Sequence, residues 1–413
     1  MIRRSLDKPI LFTTVLLIAM GFAALYSAGQ TDVPSAVTDI WRRQLVWLVA
    51  GVIAAVIVFR VSPRLLEWVA PIVYGFSLFL LVMTLVVGVG AGTAAGTRSW
   101  IAIGGIRLGQ PAELAKLATI LMLARHLGGR RHPPAGLWEA APAGLIVGVP
   151  FLLVGLQPDL GSAIVFVAIL FGALFWAGVN PALLLLLASP LISLMLAFST
   201  VSWGAWIVFI TIFVIWTRPY LLDGLTVWFS NAVMGLVALG LWDQLKPYQQ
   251  NRLLSFLNPE IDPRATGWHI IQSKIAIGSG GLLGKGFTEG TQKRLAFLPA
   301  QHTDFVFSVV GEEAGFIGVL FALVIYAVLI SILIRVAHKA NDPFSGILVF
   351  GVVSLLITHI VVNIGMTVGV MPITGIPLPF FSYGGSFLVT CCVAIGLALR
   401  VAWDSQLAGY LNA

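Results

Sequence analysis

Long apolar runs recur along this chain at intervals that leave little choice of fold. A helix needs roughly 20 mainly apolar residues to cross a bilayer. Runs near that length cover 9–29, 44–60, 66–90, 111–128, 137–156, 160–178, 181–199, 203–217, 225–243, 305–334, 343–370 and 384–402, with short turns between most of them. The strict alternation of a β-barrel is absent, and only helices and closed barrels satisfy their own backbone in hydrocarbon. The expected fold class is therefore all-α: a polytopic transmembrane helix bundle of twelve spans, forming one membrane domain over 1–413. Composition agrees, since 10% of residues are charged against about 25% in a soluble protein. The first run continues to Gly29 without a small-residue cleavage site, so it reads as a retained span rather than a signal peptide.

Lys and Arg in short loops set the orientation. The N-terminus carries Arg3, Arg4 and Lys8, and the even-numbered turns carry Arg60 and Arg64, then Arg125, Arg130 and Arg131, then Arg218, then Arg335 and Lys339. With twelve spans all of these fall on one side, which is assigned as cytoplasmic together with both termini. The formal charge of +7 then suits anionic headgroups rather than nucleic acid. Cys391 and Cys392 are adjacent inside an apolar run, which gives neither a disulfide framework nor metal-ligand spacing.

One long stretch, 244–304, falls on the extracytoplasmic face. It is basic: Lys246, Arg252, Arg264, Lys274, Lys285, Lys293 and Arg294 stand against Glu260, Asp262, Glu289 and Asp304. Loops of this size are usually functional. Its cations suit an anionic ligand such as a phosphate-bearing lipid, or simple headgroup contact. Thr266 to Ile277 has helical spacing, with Trp268, Ile271, Ile275 and Ile270 apolar, and reads as a helix lying in the membrane interface. Gly278 to Gly286 holds five glycines in nine residues. Such a segment either approaches a phosphate with its backbone or serves as a flexible connector.

Charges at membrane depth are candidate functional groups. Glu113 and Lys116 stand one helical turn apart in Gln110-Pro111-Ala112-Glu113-Leu114-Ala115-Lys116. They read either as a structural ion pair or as a phosphate-binding Lys116 oriented by Glu113. Asp159, in Gln157-Pro158-Asp159-Leu160-Gly161, is a candidate N-cap and a candidate lining residue of an outer cavity. Asp304 ends the long loop before an apolar run, so it is an N-cap candidate. A partly buried carboxylate there is also a candidate general base. His302 is a weaker base or a positioning residue. Glu312 and Glu313 lie deeper and must face protein or water. The segment Met371 to Ser386 holds Pro372, Pro377 and Pro379, which bar a regular helix. It reads as a re-entrant rim packed in protein or lining a cavity.

These residues together resemble the shape, elongation, division and sporulation (SEDS) family, within it the RodA branch. The matching text is Arg98-Ser99-Trp100, Gln110 to Glu113 with Lys116, Gln157 to Gly161, Phe256-Leu257-Asn258-Pro259-Glu260, His269 to Gly286, Leu298 to Phe307 with Gly311-Glu312-Glu313, Asn363-Ile364-Gly365-Met366, and Gly375 to Ser386. Each block is weak alone, and their order across nearly the whole chain is specific. The His269 to Gly281 run with Gly290-Thr291-Gln292 looks more like RodA than FtsW. The resemblance implies a peptidoglycan glycosyltransferase that polymerises lipid II at the outer face of the cytoplasmic membrane for elongation and rod shape. It implies a class B penicillin-binding protein and other elongation-complex membrane proteins as partners. It places the family's essential aspartate on Asp304 and its Glu and Lys on Glu113 and Lys116.

Two departures stand out. The family has ten spans, so 181–243 carries two more helices than expected. The Arg98 loop also reads Arg98-Ser99-Trp100 where many relatives have two arginines or an Arg-Trp pair, and it is one residue longer before Gln110, so neither Arg98 nor Arg107 takes its role directly from the family pattern. The implied chemistry is an inverting transfer from an α-linked donor to a β-1,4 product, which needs one base opposite the leaving group. Asp304 is the candidate base. Lys116, Arg98 and Lys274 are candidate cations for the leaving pyrophosphate, with Asp159 and His302 as further lining residues. A divalent cation such as Mg or Mn is compatible with the chemistry, although the sequence shows no metal cage. A lipid II flippase is the alternative, and a scaffold that only recruits the penicillin-binding protein is a third reading.

Overall fold

A computed structural model describes residues 7–32, 38–90, 99–103, 106–197, 199–244, 250, 266–295, 297–298 and 300–411. Each predicted apolar run is helical. The first three are α1 (Lys8–Ala28), α2 (Ile40–Arg60) and α3 (Pro63–Val87). A short antiparallel hairpin, β1 (Ile101–Ile103) and β2 (Ile106–Gly109), follows. Next come α4 (Pro111–Gly128), α5 (Leu137–Leu156), α6 (Leu160–Trp176), α7 (Pro181–Leu196), α8 (Thr200–Thr217) and α9 (Leu221–Gln244). The long loop contains α10 (Thr266–Gly280) and α11 (Thr291–Arg294). The chain then runs through α12 (Val306–His338), α13 (Pro343–Thr367) and α14 (Gly385–Leu411).

The starts of these helices follow from local chemistry. Asp7, Ser62, Asp159, Asn180, Ser199 and Asp342 each accept a first-turn N–H on the side chain. Pro63, Pro111, Pro181 and Pro343 open helices where a proline loses no backbone bond.

Among the described residues, nine helices are long and apolar enough to cross a membrane. Helices α6 and α7 are equally apolar but shorter, and α4 carries Glu113, Lys116 and Arg125. Yet α4 is buried along most of its length, from Pro111 to Leu127. It packs against α3, α5, α6, α13 and α14, so protein rather than lipid surrounds its charges. Cys391 and Cys392 are free thiols buried in α14.

Helices α7, α8 and α9 pack mainly on one another. Asn231 Nδ2 donates to Ser189 Oγ (2.7 Å), Trp203 Nε1 to Ser193 Oγ (2.9 Å) and Trp206 Nε1 to Asn231 Oδ1 (3.0 Å). Interhelical hydrogen bonds of this kind join helices where water offers no alternative partner.

Two breaks in regular helix shape the functional end. In α12, Gly315 leaves the helical region (φ 62°, ψ −165°). This frees the carbonyls of Glu312 and Glu313 and the amides of Phe316 and Ile317. The glycine-rich segment fills the break: Lys285 N donates to Glu312 O (3.0 Å), Gly286 N to Glu313 O (3.1 Å), Phe316 N to Gly281 O (2.9 Å) and Ile317 N to Leu282 O (3.1 Å). A Cβ at Gly284 (φ +80°) would collide with the Glu313 carbonyl, and one at Gly280 with the Gly311 carbonyl. Gly280 and Gly284 therefore serve docking of backbone on backbone, so this part of the segment is not a free connector. Helix α10 is also more than an interfacial stripe. Trp268 and Ile275 are exposed as an outward apolar face, while Ile270, Ser273, Ala276 and Gly280 are buried. Ser273 Oγ donates to Thr367 O (2.6 Å) and lies 2.7 Å from Ser308 Oγ.

The second break is the strap from Met371 to Pro379, extended between α13 and α14. Ile376, Leu378, Phe380 and Phe381 are buried on or beside it. Side chains from several helices satisfy its polar backbone: Asn363 Nδ2 donates to Ile376 O (2.8 Å), Tyr326 Oη to Pro379 O and Gln44 Nε2 to Ser382 O (3.2 Å). The irregular backbone is thus packed in protein, as its three prolines predict.

Candidate active site

Alternating helix direction brings the predicted polar motifs to one end of the bundle. The end of α1, the hairpin and start of α4, the end of α5 and start of α6, the start of α12, the end of α13, the strap and the start of α14 all meet there. The basic turns at Arg60, Arg125, Arg218 and Arg335 lie at the other end. The open depression lined by Gly136, Trp138, Tyr220 and Asp223 is at that second end and holds none of the predicted site residues.

Asp304 lies in the turn before α12 and is partly buried. It is not an N-cap: Phe305 occupies that position without a side-chain hydrogen bond. The Asp304 backbone carbonyl accepts from Asn363 Nδ2 (3.0 Å). A Cβ built on Gly375 (φ +74°) would lie 3.7 Å from Asp304 Oδ2, at ordinary contact distance, so the strap backbone faces the carboxylate.

Polar atoms surround this point. His302 Nδ1, Asn363 Oδ1 and Thr374 Oγ1 are buried without a hydrogen-bond partner among the described residues. Such atoms are costly in a dry core and suit a surface that meets a polar ligand. Burial pushes the His302 imidazole below its usual pKa, which keeps it neutral at pH 7. Its backbone carbonyl accepts from Tyr383 N (2.8 Å), and Thr303 O accepts from Ser382 Oγ (2.6 Å). The strap and the Asp304 turn are thereby joined.

Asp159 serves in two ways. Oδ1 caps α6 by accepting from Ser162 N (3.0 Å), and Oδ2 accepts from Gln110 Nε2 (2.8 Å). Gln110 N in turn donates to Ser386 Oγ (3.1 Å). A Cβ at Gly161 would collide with Thr374 O, so the start of α6 presses on the strap next to Gly375. Gly161, two residues after Asp159, and Asp304 thus approach adjacent strap residues, Thr374 and Gly375.

Glu113 and Lys116 form a buried ion pair (2.7 Å) with both side chains almost wholly enclosed. Lys116 Nζ is also 3.3 Å from His359 Nε2. The ammonium thus lies between Glu113 and His359 in the core. Lys274 is exposed on α10. Its Nζ lies over the backbone of Gly369, and it makes no ion pair among the described residues. Arg98 and the Phe256 to Glu260 block lie outside the described residues; Arg107 falls in β2. No group of three or more His, Cys, Asp or Glu side chains suited to a metal occurs among the described residues.

Glu312 and Glu313 are buried in protein, as their depth requires, but the sequence did not reveal their partners. Glu312 Oε1 accepts from Lys285 Nζ (2.8 Å) and Gln292 N (3.0 Å). Glu313 pairs with the fully buried Lys293, and Ser27 Oγ donates to Glu313 Oε2 (2.6 Å). Burial pushes the Lys293 ammonium down in pKa, and the Glu313 carboxylate opposes that shift. These pairs pin the loop and α1 to the half of α12 that begins beside Asp304. The charge excess counted in the loop is thus partly consumed internally. His359 gave no signal, because a lone histidine within an apolar run has no distinguishing spacing.

A family model described as a cell cycle protein, FTSW_RODA_SPOVE, matches residues 8–206 and 191–407. The peptidoglycan glycosyltransferase RodA of Treponema pallidum is 34% identical, with 96% of this chain and 97% of that protein covered. Among solved structures, one described as structural coordination of polymerization and crosslinking by a peptidoglycan synthase complex is 32% identical. It covers 97% of this chain and 98% of its own, with a TM-score of 0.71. The rod shape determining protein RodA of Thermus thermophilus is 30% identical, covers 97% of each chain and has a TM-score of 0.63.

Proposed function

The chain belongs to the FtsW/RodA/SpoVE family, and from that premise we propose that it joins lipid II units into glycan strands at the bundle end that carries Asp304. It is a peptidoglycan glycosyltransferase, as its RodA relative is named. The observation that supports the assignment of the centre is the partly buried Asp304 in the turn before α12, with its Oδ2 facing the strap backbone at Gly375.

Asp304 takes the proton from the 4-hydroxyl of the acceptor GlcNAc as that oxygen attacks the donor MurNAc C1. The undecaprenyl pyrophosphate leaves from the opposite side, so the α-linked donor gives a β-1,4 product. Lys274, exposed beside this end, and Arg98 are the cations assigned to the departing pyrophosphate. Asp159 and His302 line the approach. Glu113 and Lys116 support the site from within the core.

The catalytic end faces away from the cytoplasm, because the basic turns at the other end mark the cytoplasmic side. A class B penicillin-binding protein supplies crosslinking beside it. The solved relative from a synthase complex supports such a partner.

Oriented proteoliposomes test enzyme against flippase. With the class B penicillin-binding protein present, lipid II supplied on the face opposite the termini is polymerised there. Transfer of lipid II across the membrane without any polymer would replace this reading by the flippase. Polymer formed only from lipid II on the face of the termini would reverse the orientation.

A further inference from the structure

His359 is a buried imidazole in the middle of α13, fully enclosed and stacked on Phe387 at 4.5 Å between ring centroids. Its two nitrogens have different partners. Nε2 is 3.3 Å from Lys116 Nζ, and Nδ1 is 3.0 Å from Pro377 O. An ammonium only donates and a carbonyl only accepts, so one tautomer satisfies both: Nε2 accepts from Lys116, and Nδ1–H donates to Pro377. The ring must be neutral to do this.

Asn363 lies one helical turn further on the same face of α13. It donates to Ile376 O (2.8 Å) and to Asp304 O (3.0 Å). His359 and Asn363 therefore grip consecutive carbonyls of the strap, Pro377 and Ile376. The next residue back is Gly375, whose backbone faces Asp304 Oδ2. A continuous set of polar contacts runs from Glu113 through Lys116 and His359 to the strap, and from the strap to the Asp304 turn.

We infer that His359 is a positioning residue of the glycosyltransferase. Through it the buried Glu113–Lys116 pair fixes the strap, and hence the backbone wall opposite the Asp304 carboxylate. The pair then acts on the reaction without touching substrate, in keeping with the complete burial of Lys116. This inference rests on the reading of Asp304 as the catalytic base.

The consequences separate positioning from binding. A wall misplaced by about 1 Å can cost on the order of a hundredfold in rate, while the substrate's own contacts remain. His359→Phe keeps the ring stacked on Phe387 but removes both nitrogens. His359→Gln restores an acceptor and a donor on neighbouring atoms, so it can bridge Lys116 and Pro377 again.

The test measures lipid II polymerisation by native, His359→Phe and His359→Gln chains with the penicillin-binding partner. It is paired with maleimide labelling of Thr374→Cys in the native and His359→Phe backgrounds. The native cysteines, Cys391 and Cys392, are buried. His359→Phe is expected to lower kcat by about 10- to 100-fold with KM for lipid II within about twofold. His359→Gln recovers most of that loss, and Thr374→Cys labels several-fold faster beside Phe. Unchanged kcat in His359→Phe, or a raised KM with kcat intact, overturns the inference. So does an unchanged labelling rate. The labelling arm reads the strap without catalysis, so it still decides the role of His359 if the native chain makes no polymer and the functional reading fails.

Discussion

At the scale of single residues, chemistry here depends on which polar groups the fold has already used. Asp159, Glu113, Glu312 and Glu313 each accept specific intramolecular bonds. Phe305, rather than Asp304, holds the N-cap position of α12. Sequence spacing identified the Glu113–Lys116 pair, because residues three apart share a helix face. It did not reveal that His359, far away in the chain, completes the cluster. Such a contact depends on how α4 and α13 cross, and no local pattern encodes that crossing. His302 carries a prediction at this scale. Its imidazole titrates below the ordinary 6.5 in the folded chain because burial penalises the charged form. Between that lowered value and about 6.5 the unfolded chain binds more protons, so stability falls as pH drops through this window. Melting midpoints measured from pH 7 down to pH 5 should fall less steeply in His302→Gln than in the native protein. Equal slopes would remove His302 from the acid response.

At the scale of elements, hydropathy located the spanning helices closely because each needs a run of apolar residues of fixed minimum length. The three helices across 181–243 appear where three runs were read. The hairpin at Ile101–Gly109 was not anticipated, since its strands are only three and four residues long. The break of α12 at Gly315 was equally hidden: one glycine in an apolar helix is common, and only the docked loop shows why it is needed. Here a glycine's missing side chain has a clear value. Gly284→Ala places a Cβ against the Glu313 carbonyl and forces a left-handed conformation on alanine. We expect it to destabilise the protein by roughly 2–5 kcal/mol, from overpacking and backbone strain together. Thermal unfolding in detergent checks this, and a midpoint within a degree of native would contradict the docking of the loop at the helix break.

At the scale of the whole molecule, the bundle separates two tasks along its axis. The basic turns at Arg60, Arg125, Arg218 and Arg335 lie at one end, and the strap, the α12 break and Asp304 lie at the other. Between them, α4 holds an ion pair in the core at a depth where lipid could not accept it. The sequence order of motifs was enough to expect a family and a catalytic aspartate. It could not show that the strap, α6, α13 and the Asp304 turn converge on one point, because that convergence is a product of packing across more than two hundred residues. The central claim is that this point performs the glycosyl transfer and that Asp304 is its base. The most direct measurement is the rate of glycan polymerisation from purified lipid II by native and Asp304→Asn chains, each with the class B penicillin-binding protein and each shown to melt normally. The account predicts a loss of about 100- to 10,000-fold in the variant, the range of a removed general base. A folded Asp304→Asn chain that polymerises at close to the native rate would contradict it.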